Sequence, residues 1–260
     1  MPVARLEIPV EDAETAVAAA LHADRLEVCR DLAQHGLTPS PEAVARVRDR
    51  VAVLPNPPEL AVLFQETSPS AAGSKAGNRA FHGDDSRLAT LERLVGGFAE
   101  AGATSVVIGF LDAHGGIDRE ACRSAVAIIG DAGLQTAFHR AFDFALDSAA
   151  ALRQLSELGI HRTLSAGVRG FEVGTVSLER RLVALKASAS AGRATDPPVE
   201  VVPCGGVRCD HASRYLDAAG HLHASCLIDV NVSGVRRFSA AEAAGLRDRI
   251  TDWTAREATG

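Results

Sequence analysis

The chain has 260 residues, a formal net charge of -6, 47% hydrophobic residues and 4% aromatic residues. The length is close to the ~250 residues of an eight-stranded barrel, and the acidic balance argues against nucleic acid as a partner, because such surfaces carry basic patches. With no apolar run of ~18 residues and acidic residues near the N-terminus, neither a membrane span nor a signal peptide is expected, and a cytoplasmic location is predicted.

Short aliphatic runs alternate with longer alanine-rich amphipathic runs along the whole chain, in about eight pairs. The predicted strands cover residues 3–8, 25–29, 60–64, 105–110, 135–139, 162–165, 199–203 and 221–228. The predicted helices cover residues 12–22, 41–50, 85–101, 118–131, 148–158, 177–189, 211–219 and 240–256. We therefore predict an α/β protein, a single-domain TIM (β/α)8 barrel over residues 1–260, with a doubly wound sheet as the alternative.

Two segments interrupt this alternation. Residues 65–84 are rich in Ser, Gly and Ala, and their length predicts a lid or a disordered insertion after the third strand. Residues 188–198 precede the seventh strand at the opposite end of the barrel, where sequence variation affects stability rather than chemistry.

The segment from Phe138 to Asp143 places His139, Arg140 and Asp143 directly after a strand. Parallel strands are covered on both faces, so charged residues gather where a strand leaves the core, and this triad predicts a site. In the structural alternative, His139 caps the next helix and Arg140 pairs with Asp143.

In a barrel, the carboxyl ends of all strands form one mouth. In chain order the predicted strand ends deliver Glu7, Glu27 with Cys29, Asp112, the His139 triad, Ser165 with Gly167, Cys204 with Gly205 and Gly206, and His223 with Ser225. Glu7 and Glu27 interrupt aliphatic strands that helices should cover, so we expect both to point into the barrel. Buried carboxylates need partners, and Arg140 or His139 are the expected ones.

The glycines that follow the seventh strand resemble a loop that binds phosphate through backbone N–H groups. Gly205 and Gly206, with Ser165, are therefore a candidate anion site. The same glycines could equally serve a tight strand exit, since no P-loop spacing is present.

Five cysteines without CxxC spacing predict reduced thiols rather than a disulfide framework or a zinc ribbon. Cys29 and Cys204 are expected at the mouth, with Cys209 as a third candidate, whereas Cys122 and Cys226 are expected in the core. Thiolates would suit Cu(I), while Glu7, Glu27 and His139 would suit zinc or a harder divalent ion. The remaining histidines on helices or loops are expected at the surface, namely His22, His35, His82, His114, His161 and His221.

The order of several blocks resembles the CutC family over roughly residues 5–235. The blocks are residues 6–8, 23–29, 36–40, 109–112, 116–118, 138–143, 158–160 with Arg162, 165–167, 205–207 and 223–225. The resemblance implies a TIM barrel, a cytoplasmic homo-oligomer, and a role in copper homeostasis with Cu(I) bound through cysteines.

The chain departs from the family pattern at two places. Pro9 follows Ile8 where family members often carry a cysteine, and residues 65–69 replace an arginine-rich, glycine-containing segment. The first departure weakens the expectation of a paired-cysteine copper site. The second weakens the expectation of an anion site built on those arginines.

Three hypotheses follow. The first is a CutC-like copper homeostasis protein that binds Cu(I) at the barrel mouth through Cys29 and Cys204. The alternative is a TIM-barrel enzyme for a small anionic or sugar-like metabolite, with His139 as general acid or base, Arg140 and Asp143 beside it, and Glu7 and Glu27 binding a metal or substrate. The third is an oligomeric scaffold whose mouth is only a charged structural network.

Overall fold

A computed structural model describes residues 4–69, 80–171, 173–229 and 236–259. Residue 3 of the first predicted strand and residues 70–79 of the long predicted loop lie outside the described residues. Of the helices in the described part, none is both long and apolar enough to span a bilayer.

The described chain alternates strands and helices as the sequence predicts. The barrel strands are β1 (Leu6–Val10), β2 (Arg25–Val28), β3 (Glu59–Leu63), β4 (Ser105–Ile108), β5 (Gln135–Phe138), β6 (Arg162–Ser165), β7 (Glu200–Pro203) and β8 (Leu222–His223). The helices are α1 (Ala13–Ala20), α2 (Pro41–Val51), α3 (Asp85–Glu100), α4 (Arg119–Asp131), α5 (Ser148–Glu157), α6 (Leu178–Arg193), α7 (Ala212–Ala219) and α8 (Ala240–Thr259).

The predicted helix starts have a local physical cause. Side-chain oxygens of Ser40, Asp118 and Ser239 accept backbone N–H groups in the first turns of α2, α4 and α8. These bonds satisfy donors that have no partner within the helix, so each of these helices begins where its sequence predicts.

The strands form one parallel sheet in the order β7, β6, β5, β4, β3, β2, β1, β8. Strand β1 pairs with both β2 and β8, and β7 packs against β8 to bring the two ends of the sheet together. A doubly wound sheet would not join its first and last strands in this way. The predicted TIM barrel is therefore confirmed.

Side chains alternate strictly between the two faces of the barrel wall. Leu6 and Ile8 of β1, like Leu26 of β2, face outward into the large core between strands and helices. Glu7 and Glu27 take the intervening positions and therefore point into the barrel. The register places Glu7 beside both Arg25 and His223, so three ionisable residues meet inside the wall.

The predicted last strand at residues 221–228 is wrong in its extent. Strand β8 ends at His223, and Cys226 adopts a left-handed backbone with φ of 53°. The chain then forms an antiparallel ribbon of β9 (Leu227–Asp229) and β10 (Arg236–Phe238), the second of which was not predicted. The aliphatic composition is the same on both sides of the turn, so periodicity could not reveal the break.

Candidate functional site

A cavity of about 380 Å³ opens at the carboxyl ends of the strands. Its walls come from widely separated parts of the chain and include Glu27, His139, Arg140, Cys204, Gly205 and His223. The barrel therefore gathers several of the predicted strand-end residues into one concave site, which is where TIM barrels place their ligands.

Glu7 lies below this cavity at the centre of a buried ionic network. Its Oε2 accepts hydrogen bonds from Arg162 Nη1 at 2.7 Å and from Arg25 Nη1 at 3.2 Å, and its Oε1 lies 2.8 Å from His223 Nδ1. The expected partners Arg140 and His139 were wrong, because the register of the strands brings these three residues to Glu7 instead. The burial itself follows the prediction, as Glu7 is inside the barrel.

His223 is held by this network. Its Nδ1 bonds to Glu7, which leaves Nε2 for a ligand in the cavity that His223 lines. Burial lowers the pKa of His223, but its hydrogen bond to the carboxylate of Glu7 and the charges of Glu27 and Glu7 outweigh this effect, so the net pKa is raised. The sequence placed His223 at the mouth without assigning it a role.

Glu27 is the least satisfied group in the site. It is only 5% exposed, and among the described residues no hydrogen-bond partner is present for its Oε1. Burial raises its pKa to about 7, against the opposing charges of His223 and Arg25. Ligand atoms of Glu7, Glu27 and His223 lie within 4.8 Å of one another, so these three side chains form one cluster.

His139 takes the conformation of the structural alternative. It caps the short 3-10 helix Arg140–Phe144, and its Nδ1 accepts the N–H of Ala141 at 3.0 Å. Burial lowers its pKa to about 3, so the ring is neutral and carries its proton on Nε2. A neutral ring of this kind can donate a hydrogen bond but does not act as an imidazolium acid.

Arg140 and Asp143 also pair as in the structural alternative, with Arg140 Nε 3.0 Å from Asp143 Oδ2. Asp143 further accepts Ser165 Oγ at 2.6 Å and the N–H of Ala166 at 3.0 Å. Burial raises the pKa of Asp143 despite the opposing charge of Arg140. Asp143 and Ser165 thus join the ends of β5 and β6, while Arg140 lines the cavity and stacks on Phe171 at 4.3 Å.

Arg181 of α6 was missed by the sequence analysis. Its guanidinium is buried and donates to the carbonyl oxygens of Ala166, Cys204 and Gly205 at 2.8, 3.1 and 2.6 Å. Arg181 shares the buried face of α6 with Leu185. The i,i+4 spacing of these two residues is the signal that could have identified it.

The thiols do not converge on a common site. Cys29 packs with Ala61 and Leu63, while Cys204 packs in a separate apolar cluster and lines the cavity. Burial raises the pKa of both thiols well above the usual value. Because Cu(I) prefers thiolates, the donors that do converge, which are carboxylates and an imidazole, do not fit it and suit a harder divalent ion.

The other cysteines divide as follows. Cys122 and Cys226 are buried, as predicted, and burial raises the pKa of each to about 12. Cys209 Sγ contacts the carbonyl oxygen of Glu242 in α8 at 3.2 Å, so this third candidate contacts a helix behind the mouth.

His221 was expected at the surface, and this expectation was wrong. It is buried, and its Nε2 lies 3.5 Å from a carboxylate oxygen of Glu200. His35 is exposed as predicted, yet it lines the cavity and packs edge-on against Phe171 at 4.9 Å between ring centres.

Comparison with known proteins finds a matching family model over residues 4–228, described as the CutC family. The human protein named "Copper homeostasis protein cutC homolog" is 31% identical over 224 residues, which cover 85% of this chain and 72% of that protein. A protein of Erwinia tasmaniensis described as "family protein CutC" is 27% identical over 239 residues, covering 91% of this chain and 84% of the relative.

Solved structures show the same fold. The putative copper homeostasis protein CutC from Streptococcus agalactiae has a TM-score of 0.71 at 21% identity, covering 85% of this chain and 98% of that one. The 3-keto-L-gulonate-6-phosphate decarboxylase from Vibrio cholerae has a TM-score of 0.62 at 13% identity, covering 97% and 99%. At these identities the likeness concerns the barrel alone.

Proposed function

The chain belongs to the CutC family, and we propose that its barrel mouth binds a small anionic or sugar-like metabolite and moves a proton to or from it. In this mouth, a protonatable carboxyl group lies beside a histidine that is hydrogen-bonded to a carboxylate. The observation that carries the proposal is Glu27, a buried acid with an unpaired oxygen in the wall of a cavity. Perturbed groups of this kind concentrate at active sites.

Two residues share the proton chemistry in this proposal. Glu7 fixes the Nδ1 side of His223, as a carboxylate does in catalytic histidine pairs, so Nε2 is the atom that meets the substrate. Glu27 is the second acid or base, because a pKa of about 7 is close to the best value for proton transfer at neutral pH. The role that the sequence suggested for His139 thus moves to Glu27 and His223.

The other cavity residues bind the substrate. His139 donates from its neutral Nε2, and Arg140 and Arg236 supply positive charge in the cavity wall. Arg140 is already oriented by Asp143 and by the carbonyl oxygen of Gly170, so its position costs little on binding.

A panel of sugars, phosphates and carboxylic acids, screened by thermal shift, tests binding. A ligand at 100 times its dissociation constant should stabilise the protein by about 2.7 kcal/mol. Ligands that bind are then incubated with the protein in deuterated water, and loss of C–H signals by NMR reports proton transfer without knowledge of the product.

We expect His223→Asn to retain binding and to slow this exchange by at least about 100-fold, and Glu27→Gln to do the same. His161→Asn, at an exposed position, is the matched control and should exchange as the natural protein does. A panel in which no ligand stabilises the protein would contradict the proposal, as would unchanged exchange in both site variants.

Copper homeostasis through Cu(I) binding is the second candidate. The name of the human relative favours it, and so does Cys204, a thiol in the cavity wall that His223 also lines. The separate burial of Cys29 and the raised pKa of both thiols count against a paired thiolate site.

An anaerobic Cu(I) titration distinguishes the two candidates. The copper candidate requires stoichiometric binding that Cys204→Ser and Cys29→Ser weaken, while Cys209→Ser serves as the control. Elemental analysis of protein purified without added metal gives an independent readout, with copper favouring this candidate.

The family resemblance also leads us to propose a cytoplasmic homo-oligomer. Light scattering of the purified protein would test its assembly, and a monomeric mass would contradict it.

A further inference from the structure

We infer that the backbone N–H groups of Gly205 and Gly206 form a subsite for a phosphate group, and that Arg181 is the positioning residue that orients them. This inference rests on the proposed function and names the class of substrate, a phosphorylated small metabolite.

The orientation follows from peptide geometry. In a trans peptide the C=O and N–H groups point in opposite directions. Arg181 binds the carbonyl oxygens of Cys204 and Gly205, so the N–H groups of the next residues, Gly205 and Gly206, turn away from Arg181. Both glycines line the cavity, and within the described residues neither N–H group donates a hydrogen bond.

Both positions favour glycine. Gly205 and Gly206 have φ of 71° and 80°, a backbone conformation that favours glycine. A Cβ atom on Gly205 would lie 2.9 Å from Ala166 Cβ and 3.0 Å from Val173 Cγ2. Two successive backbone N–H groups beside a cavity can bind one anion.

The charge of Arg181 is the second, independent observation. Arg181 is only 5% exposed, and the partners of its guanidinium in the described part of the chain are carbonyl oxygens and the ring of Tyr215 rather than a carboxylate. A buried cation without a counterion is unfavourable. An anion bound at the N–H groups of Gly205 and Gly206 would place negative charge across these two peptide groups from the guanidinium of Arg181.

Two further cations favour phosphate over a singly charged carboxylate. Arg140 and Arg236 line the same cavity. A phosphate monoester carries up to two negative charges and three acceptor oxygens, enough to meet both N–H groups and an arginine together.

The chain offers a direct probe, because the dipeptide Cys-Gly occurs once, at Cys204 and Gly205. Labelling cysteine with ¹³C at the carbonyl and glycine with ¹⁵N isolates the amide signal of Gly205 in an NMR experiment. Inorganic phosphate, titrated at constant ionic strength, should shift this signal saturably, and acetate should shift it less. An amide signal that phosphate leaves unmoved, or that acetate moves equally, would overturn the inference.

Arg181→Lys tests the positioning role, since a lysine keeps the charge but cannot hold three carbonyl groups in one plane. We expect the dissociation constant for phosphate to rise by at least about tenfold. Arg180→Lys, at the exposed neighbouring position, should stay within about twofold of the natural protein. Equal affinity in both variants would refute the role of Arg181.

Different experimental results would contradict the proposed proton transfer and the proposed phosphate subsite. His223→Asn should leave the phosphate response of Gly205 intact, because His223 acts on the reacting part of the substrate. A protein that binds phosphate but shows no proton exchange with any ligand retains the subsite and loses the proposed chemistry. Proton exchange on an uncharged sugar, in a protein whose Gly205 signal does not respond to phosphate, would support the proposed chemistry and contradict the subsite.

Discussion

Glu27 is a buried acid that affects the stability of the barrel. Its carboxyl group is inside the wall because strand alternation leaves it no other direction, and its Oε1 finds no partner among the described residues. An unpaired buried polar group lowers the stability of the fold. In the proposed function, a substrate that donates a hydrogen bond to Oε1 would remove this loss.

Replacing Glu27 by glutamine should change how stability depends on pH. The pKa of Glu27 is 4.5 in the unfolded chain and about 7 in the fold, so the natural protein loses stability as the pH rises between these values. Glutamine does not ionise. The free energy of unfolding of Glu27→Gln, relative to the natural protein, should therefore increase by about 1–3 kcal/mol from about pH 4 to about pH 8.

Urea denaturation at the two pH values measures this difference. Glu92→Gln, at an exposed position of α3, is the control and should show no such increase. A constant difference for Glu27→Gln would mean that its carboxyl group ionises in the fold as it does in water.

The neighbouring strands β4 and β5 come close enough at their carboxyl ends to fix the position of His139. Gly109 follows β4, and the ring of His139 at the end of β5 lies directly against it. The ring in turn caps the 3-10 helix that carries Arg140 and Asp143. Because Gly109 has no side chain, the ring of His139 can lie against the end of β4.

Gly109→Ala should disrupt this contact. A Cβ atom would lie 2.0 Å from Cε1 of His139, so the ring must move and give up its bond with Ala141. We expect a loss of about 1–3 kcal/mol in the free energy of unfolding, measured in urea.

Gly96→Ala is the matched comparison, since nothing lies within 4 Å of its Cβ position in helix α3. This variant should be more stable by about 0.5–1 kcal/mol. Similar changes in the two variants would show that the ring of His139 is not held against Gly109.

In the whole molecule, most cysteine side chains are buried within the barrel fold. Cys29, Cys122, Cys204 and Cys226 are buried, and Cys209 is half-buried with a pKa raised to about 11, first by burial and then by Glu242. Access to the four buried thiols therefore depends on opening of the fold rather than on local mobility of a side chain.

Thiol titration with a disulfide reagent tests this arrangement. We expect the folded protein at about pH 7.5 to react with less than about one equivalent, because thiolates are the reactive form. After denaturation all five cysteines should react. Rapid reaction of Cys204 in the folded protein, removed by Cys204→Ser, would contradict the prediction and would strengthen the copper candidate.

The sequence by itself determined the alternation of strands and helices, apart from the extent of the last strand and the ribbon that follows it. Period-two and helical patterns and side-chain caps are local, so the barrel and the inward direction of Glu7 and Glu27 could be predicted. The pairing of Arg140 with Asp143 was one of two readings, since residues three apart meet within one helical turn.

Only the tertiary structure decided which residues contact Glu7 and which residues line the cavity. Arg162 and His223 reach Glu7 from 155 and 216 residues away along the chain, and strand register rather than local pattern joins them. Arg181 likewise reaches the mouth from a helix, through backbone carbonyls that are alike in every residue. Such contacts depend on how the wall of the barrel closes, which is a property of all the strands together.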